Sequence, residues 1–169
     1  HRDLHSFPTR RSSDLATASR TPLPWPTERN AQTRMRRKVV FLDRDGVINR
    51  NSPDYIRGPE EFEFLPGSLA ALRRLTESGF DLIVITNQSA LGRGLMDRES
   101  LEEIHRRMLA SVEAAGGRIA DIFVCPHQPA DGCGCRKPEP GLALEAQRKH
   151  RVDFSTAVMV GDRDRKSVV

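Results

Sequence analysis

Four short, largely apolar runs recur along the chain, and each of them ends in polar residues. The runs cover residues 39–42, 80–85, 119–124 and 157–160. Runs of this kind are typical of strands that are buried on both faces, as in a parallel sheet. The polar residues directly after them are Asp43, Thr86 with Asn87, Cys125, and Gly161 with Asp162. The pattern therefore predicts four buried strands.

Amphipathic segments lie between these runs and predict helices. The apolar positions that recur at helical spacing are Leu69, Leu72 and Leu75 in the first segment, and Leu101, Ile104, Met108 and Val112 in the second. The third segment has Leu142 and Leu144 near its start. Gly79 stands where the first helix ends, Asp97 can cap the second, and Pro140 opens the third. The alternation of strands and helices predicts an α/β fold with a parallel sheet.

The polar strand ends are the strongest functional signal in the sequence. In open α/β sheets, ligands bind beyond the carboxyl ends of the strands. We therefore expect the residues that follow all four runs to converge on one site.

Asp43 and Asp45 directly follow the first run, and their spacing makes them face the same way in an extended backbone. One carboxylate can attack while the other transfers a proton. Two carboxylates this close repel each other, which favours a divalent cation, and Asp162 can complete a Mg²⁺ site opposite Asp43. A solvated turn is the alternative interpretation.

Two further segments are candidate anion sites. Four polar side chains follow the second run, namely Thr86, Asn87, Gln88 and Ser89. Their hydroxyl and amide groups can bind phosphate oxygens. Lys137, next to Arg136, stands just ahead of the third helix, and an ammonium group beside a helix N-terminus makes a good anion site. The alternatives are a polar turn and an ordinary basic pair on the surface.

A dense cluster of metal-ligating residues surrounds the end of the third run, namely Cys125, His127, Cys133 and Cys135. Three thiols and one imidazole are the four ligands that a structural Zn²⁺ takes, and they leave no open position for catalytic water. Incidental or buried thiols are the alternative. The three cysteines suit a reducing compartment, which predicts a cytoplasmic protein. The other helical histidines, His105 and His150, are interpreted as surface residues.

Length, composition and charge argue against several classes of protein. The chain has 169 residues and 37% hydrophobic content, enough for one domain with a core. No apolar run approaches the length of a membrane span, and no secretory signal is indicated. The net charge of +4 divides into +3 for residues 1–35, −1 for 36–164 and +2 for 165–169. Because the basic excess belongs to the ends, no nucleic-acid partner is predicted.

The two ends differ from the rest of the chain. Residues 1–35 are rich in Arg, Ser, Thr and Pro and show no periodicity, so we predict a disordered or non-native leader. Residues 165–169 are predicted to be a non-native tail. The ordered domain is predicted over residues 36–164.

The motifs and their order resemble the haloacid dehalogenase superfamily of phosphatases, in particular its branch with a zinc-binding loop. The matching segments are FLDRDGVIN at 41–49, ITNQS at 85–89, CPH at 125–127, CGCRKP at 133–138 and VGD at 160–162. The resemblance implies a Rossmann-like parallel sheet with helices on both faces. Only the short span 49–66 follows the first motif, so no large cap domain is expected. The resemblance also implies that the domain is incomplete at its C-terminal end, where Lys166 replaces a second acid.

The resemblance implies a role for each motif. Asp43 corresponds to the nucleophile that takes the phosphoryl group, and Asp45 to the general acid and base. Thr86 and Lys137 correspond to residues that hold the phosphoryl oxygens, and Arg136 to one that recognises the substrate. The implied Mg²⁺ ligands are Asp43, the Asp45 carbonyl and Asp162.

The implied enzyme is a hydrolase of a small sugar phosphate, removing the 7-phosphate of D-glycero-D-manno-heptose 1,7-bisphosphate. Separately, the chain is predicted to be a monomer. Histidinol phosphate is the alternative substrate. A non-catalytic zinc-loop module is the alternative function, because the altered C-terminal end could have cost the activity.

Overall fold

The computed structural model describes residues 38–162. Its elements, in chain order, are β1 (Val39–Leu42), α1 (Ser68–Glu77), β2 (Asp81–Asn87), α2 (Ser89–Gly92), α3 (Arg98–Ala114), β3 (Ile119–Cys125), α4 (Gly141–His150) and β4 (Val158–Val160). Short 3₁₀ turns occupy Pro59–Glu61 and Pro129–Asp131. The predicted leader over residues 1–35 and the predicted tail over residues 165–169, with Lys166, lie outside the described residues.

The four strands form one sheet in the order β3-β2-β1-β4, and every neighbouring pair is parallel. This arrangement confirms the predicted α/β fold. The chain runs outward from β1 to β2 and β3 on one side, and β4 then pairs with β1 on the other side. Such a reversal of strand order opens a crevice at the carboxyl ends of the central strands, where α/β proteins bind their ligands.

Successive residues of the central strands point to opposite faces of the sheet, and helices cover both faces. Val39 and Phe41 pack in one cluster with Leu142 and Ala146 of α4. Val40 and Leu42 pack in the opposite cluster, which contains apolar residues of α1 and α3. Because both sets of side chains are buried, these strands read as nearly continuous apolar runs.

The predicted cap and apolar face of the second helix, α3, are confirmed by the structure. Asp97 accepts a hydrogen bond from Ser100 N at 2.7 Å, which confirms the predicted cap. The predicted apolar face is buried along its whole length, at Leu101, Ile104, Met108 and Val112. Gly79 follows the end of α1 with a φ of 82°, a backbone conformation that glycine adopts without strain.

Two predicted details were wrong. Thr86 and Asn87 are the last residues of β2 and do not follow it, because they pair with Val124 and Cys125 of β3. The third and fourth strands lie at the two edges of the sheet and are not buried on both faces. Only Phe123 and Cys125 of β3 are buried, and in β4 Val158 is 53% and Val160 39% exposed. Among the helices of residues 38–162, none has the length and hydropathy needed to cross a bilayer.

Candidate active site

A single cleft of about 1110 Å³ lies at the carboxyl ends of the strands. The predicted site residues that line it are Asp43, Asp45, Asn87, Gln88, Ser89, Arg136, Lys137 and Asp162, together with the zinc-loop residue Cys133. Asp43 follows β1 and Asp162 follows β4, so the cleft opens where the strand order reverses. The structure therefore brings together polar groups that are up to about 120 residues apart in the sequence.

Asp43 is anchored by its backbone and paired through its side chain. Its N–H donates to Val160 O at 2.9 Å, which joins the ends of β1 and β4. Its Oδ1 accepts from Arg44 N at 2.8 Å, and its Oδ2 lies 2.6 Å from Lys137 Nζ. Burial raises the pKa of Asp43, and the positive charge of Lys137 opposes that rise. The carboxylate is thus partly desolvated and held against a cation.

Lys137 is held in place by β2. Its Nζ donates to Ile85 O at 2.8 Å as well as pairing with Asp43. Its backbone N–H donates to Asn87 Oδ1 at 3.0 Å, and its carbonyl accepts from Asn87 Nδ2 at 3.2 Å. The side chain of Asn87, predicted as an anion ligand, therefore contacts the Lys137 backbone at both ends of its amide group.

Asp45 accepts hydrogen bonds from three different side chains. Asn49 Nδ2 donates to Oδ1 at 2.9 Å, and Gln88 Nε2 donates to Oδ2 at 2.8 Å. The guanidinium of Arg44 contacts both oxygens. Sequence reasoning did not single out Arg44 or Asn49. The available signal was their position within the conspicuous motif at 41–49, where Arg44 stands between the two aspartates and Asn49 closes the segment.

Thr86 differs from the other predicted anion ligands. Its side chain is fully buried, and its hydroxyl accepts a hydrogen bond from Gln88 Nε2 at 2.9 Å. It is not among the residues that line the cleft, whereas the adjacent Asn87, Gln88 and Ser89 are. The predicted contact between Thr86 and a phosphoryl oxygen stays a prediction.

The loop after β1 lies directly against Asp162. Gly46 has a φ of +82°, and a Cβ placed there would lie 2.6 Å from Asp162 Cγ. Only glycine thus lets the Asp162 carboxylate approach the loop that carries Asp43 and Asp45 so closely. Carboxylate and carbonyl oxygens are the donors that Mg²⁺ prefers. The donor set of the cleft therefore fits Mg²⁺.

The four predicted zinc ligands form one compact group. All their ligand atoms lie within 4.8 Å of one another, and no other cluster of this kind occurs among the described His, Cys, Asp and Glu residues. The sulfur atoms are 3.4 to 3.6 Å apart, and His127 Nδ1 lies 3.2 Å from Cys135 Sγ. Sulfur ligands at about 2.3 Å from a tetrahedral Zn²⁺ would be roughly 3.7 Å apart. The donor set therefore fits zinc.

The loop that carries the four predicted zinc ligands, residues 125–135, is directly followed by residues that line the cleft. Arg136 and Lys137 directly follow Cys135, and Arg136 Nη1 donates to His127 O at 3.0 Å. Gly141 N donates to Gly134 O at 2.9 Å, which ties the loop to the start of α4. A metal that fixes this loop would therefore also fix the position of Lys137.

The interpretation of His105 and His150 as surface residues was wrong. His150 Nε2 lies 2.7 Å from Asp121 Oδ2, with its ring edge against Phe123. His105 contacts Arg44 and is partly buried, because it lies beside the apolar face of α3 one turn after Leu101. Burial, followed by the charge of Arg44, lowers the pKa of His105 to about 4.

Comparison with known proteins identifies the family. The pattern of haloacid dehalogenase-like hydrolases matches residues 14–165, and the chain belongs to this family. The matched relatives identify the enzyme class as a phosphatase.

Two relatives and one crystal structure illustrate the similarity. A D-glycero-beta-D-manno-heptose-1,7-bisphosphate 7-phosphatase of Bordetella bronchiseptica is 45% identical over 125 residues, 74% of this chain and 70% of the relative. A D-glycero-alpha-D-manno-heptose-1,7-bisphosphate 7-phosphatase of Mycobacterium bovis is 45% identical over 125 residues, 73% of this chain and 66% of the relative. The crystal structure of the B. bronchiseptica D,D-heptose 1,7-bisphosphate phosphatase with magnesium and phosphate matches at a TM-score of 0.71 and 44% identity, over 73% of this chain and 69% of that one.

Proposed function

We propose that this phosphatase removes the 7-phosphate of D-glycero-D-manno-heptose 1,7-bisphosphate through an aspartyl-phosphate on Asp43. The observation that carries the proposal is the ion pair of Asp43 and Lys137 in the cleft, beside Asp45. Phosphoryl transfer depends on positioning and on charge neutralisation, which a fixed cation beside the nucleophile provides. The names of the B. bronchiseptica and M. bovis relatives support the heptose substrate.

The proposed reaction has two steps. The Asp43 carboxylate attacks phosphorus, the bond to the ester oxygen breaks, and Asp45 gives its proton to that oxygen. Asp45, now ionised, takes a proton from the water that attacks the aspartyl-phosphate, which releases phosphate and restores Asp43. Lys137 balances the negative charge of the phosphoryl oxygens in both steps.

Two metals are proposed. Asp43, the Asp45 carbonyl and Asp162 would hold Mg²⁺, which when bound supplies neutralisation of phosphoryl charge. The magnesium in the similar B. bronchiseptica structure supports this assignment. Cys125, His127, Cys133 and Cys135 would hold a structural Zn²⁺.

The cleft favours a bulky and strongly anionic substrate. Its volume of about 1110 Å³ exceeds the space that a single phosphate needs, and its lining includes Arg93, Arg136 and Lys137. Asp43, Asp45, Glu139 and Asp162 also line the cleft, and the proposed Mg²⁺ would offset part of their charge. A sugar bisphosphate carries two anionic groups that the three cations can bind. Histidinol phosphate carries only one, together with a positive charge.

A substrate panel tests the proposed function. Phosphate release with Mg²⁺ is measured for both anomers of heptose 1,7-bisphosphate and for histidinol phosphate. We expect the highest kcat/KM for one of the heptose anomers, and no release after removal of Mg²⁺ by EDTA. Preference for histidinol phosphate would overturn the substrate. A zinc-binding chain that releases phosphate from no ester would instead support the non-catalytic module.

Loss of one zinc ligand is predicted to weaken both stability and catalysis. We expect the Cys133→Ser variant to lose bound zinc and to be destabilised by about 3 kcal/mol, in the range for loss of a metal site. Phosphatase activity should fall with it, because Lys137 follows the loop. Metal content per chain and thermal unfolding are the measurements. The His150→Gln variant, outside the cluster, should keep its zinc. A zinc-free wild type would contradict the assignment.

The proposed partners are the substrate and the two metals. Residues 36–164 have nearly balanced charge and gave no reason to expect a nucleic acid. A monomeric state, a cytoplasmic location and the lack of a membrane partner stay predictions from the sequence.

A further inference from the structure

Arg44 lies between the two aspartates of the β1 motif and is fully buried, with 0% of its side chain exposed. Burying a guanidinium is unfavourable unless its donors are paired. Arg44 Nε donates to Asp45 Oδ1 at 3.0 Å, and Nη2 donates to Oδ1 at 2.9 Å and to Oδ2 at 3.2 Å. Nη2 also donates to Gln88 Oε1 at 3.1 Å. The planar fork therefore restrains the rotation of the Asp45 carboxylate.

The two oxygens of Asp45 have unequal surroundings. Oδ1 accepts three hydrogen bonds of 3.0 Å or shorter, two from Arg44 and one from Asn49. Oδ2 accepts one short bond, from Gln88 Nε2 at 2.8 Å, and the longer one from Arg44. Oδ1 therefore has more donors than Oδ2, and most of them come from Arg44.

His105 contacts Arg44 from α3. Its Nε2 lies 3.4 Å from Arg44 Nη1. The lowered pKa of His105, about 4 through burial and the charge of Arg44, keeps the ring neutral near pH 7. A neutral ring with its proton on Nδ1 can accept from Arg44, whereas a protonated ring would repel it. The imidazole thus completes the partners of a guanidinium that water does not reach.

We propose that Arg44, supported by His105, is a positioning residue for Asp45. It fixes the orientation of the Asp45 carboxyl group, so that this group gives its proton to the ester oxygen as the bond from that oxygen to phosphorus breaks. This inference rests on the proposed function, in which Asp45 is the general acid. Neither residue touches the substrate in this scheme, and both act through the carboxylate.

Leaving-group dependence provides the test. An alkyl ester needs a proton on its leaving oxygen, whereas p-nitrophenyl phosphate loses a stable nitrophenolate without one. We compare kcat/KM for p-nitrophenyl phosphate with that for the better alkyl substrate of the panel, heptose 1,7-bisphosphate or histidinol phosphate. This ratio reports only the steps up to leaving-group departure, so the later hydrolysis of the aspartyl-phosphate does not affect it.

We expect Arg44→Met to lower kcat/KM for the alkyl ester on the order of 10²-fold, the lower range for general acid catalysis, and to affect the aryl ester less than about tenfold. The Asp45→Asn variant removes the acid itself. It therefore shows the largest difference between the alkyl and aryl esters that loss of the acid can produce. Arg44→Lys keeps the charge without the fork and should fall between wild type and Arg44→Met.

The His105 variants keep the test decisive if Arg44→Met does not fold. His105→Leu removes the acceptor and should lower the alkyl-ester kcat/KM selectively, by about tenfold or less. His105→Gln retains an acceptor oxygen and should restore it. Equal losses for both esters, or no loss in folded Arg44 and His105 variants, would overturn the inference. A wild type that hydrolyses neither ester, or an active Asp43→Asn variant, would instead overturn the proposed function.

Discussion

We expect the Asp43→Asn variant to lose phosphatase activity, with kcat reduced by at least about 10⁴-fold, as for other nucleophile replacements. The amide has nearly the shape of the carboxylate but cannot form the acyl phosphate. It also removes the anion that lies 2.6 Å from Lys137 Nζ. The loss of activity is measured as phosphate release from heptose 1,7-bisphosphate. Mass spectrometry should detect the phosphorylated intermediate in the wild type and not in the variant.

Stability separates this chemical effect from damage to the fold. Burial raises the pKa of Asp43, which means that ionisation of the buried carboxyl group is unfavourable for the folded state. The neutral amide avoids this unfavourable term but leaves Lys137 without its anion, so the two effects oppose each other. We therefore expect the thermal midpoint to change by only a few degrees, roughly the effect of 1 kcal/mol.

A matched control is the Glu113→Gln variant, which neutralises an exposed carboxylate near the end of α3. It should retain wild-type kcat and KM. A folded Asp43→Asn variant with activity within tenfold of wild type would contradict the role of Asp43 as nucleophile.

The sheet was predictable from the sequence because its central strands are buried on both faces. β1 shows this most clearly, since all four of its residues pack against a helix layer on one side or the other. The end of β2 was harder to place. Thr86 and Asn87 look like loop residues, and only their pairing with β3, a long-range contact, makes them part of the strand.

The main members of the candidate site were predictable from one topological rule. Asp43, Asp45 and Asp162 follow parallel strands, so the sheet itself brings them to one edge. Lys137 was predicted from its place ahead of α4. The structure shows it paired with Asp43, with Nζ 2.6 Å from Oδ2. These residues converge because of the order of the strands and helices along the chain. That order can be predicted from the hydrophobic periodicity of the sequence.

The residues that hold Asp45 in place could not be predicted in the same way. Arg44 looks like an exposed residue because arginine is seldom fully buried. Its burial depends on Gln88, which directly follows β2, and on His105 of α3. His105 occupies a position beside the apolar face of α3, which was the available hint. That hint indicates burial, but it does not indicate that the neighbour across the interface is a guanidinium.

The second large effect is expected for Lys137→Met, which should lower kcat by about 10² to 10³-fold, as does loss of one group that stabilises transition-state charge. Methionine keeps the length and apolar stem of lysine but removes the ammonium that contacts Asp43 Oδ2 and Ile85 O. Steady-state kinetics with heptose 1,7-bisphosphate separate kcat from KM.

The matched control for this change is Lys149→Met on α4, where a lysine that is 62% exposed pairs with Asp121 away from the residues that line the cleft. It should leave both constants unchanged, because surface ion pairs contribute little. A rise in KM alone for Lys137→Met would indicate that the ammonium binds substrate and transition state equally. That result would contradict its proposed role, since a cation beside the nucleophile accelerates the reaction only if it interacts more strongly with the phosphoryl group in transfer than with the bound ester.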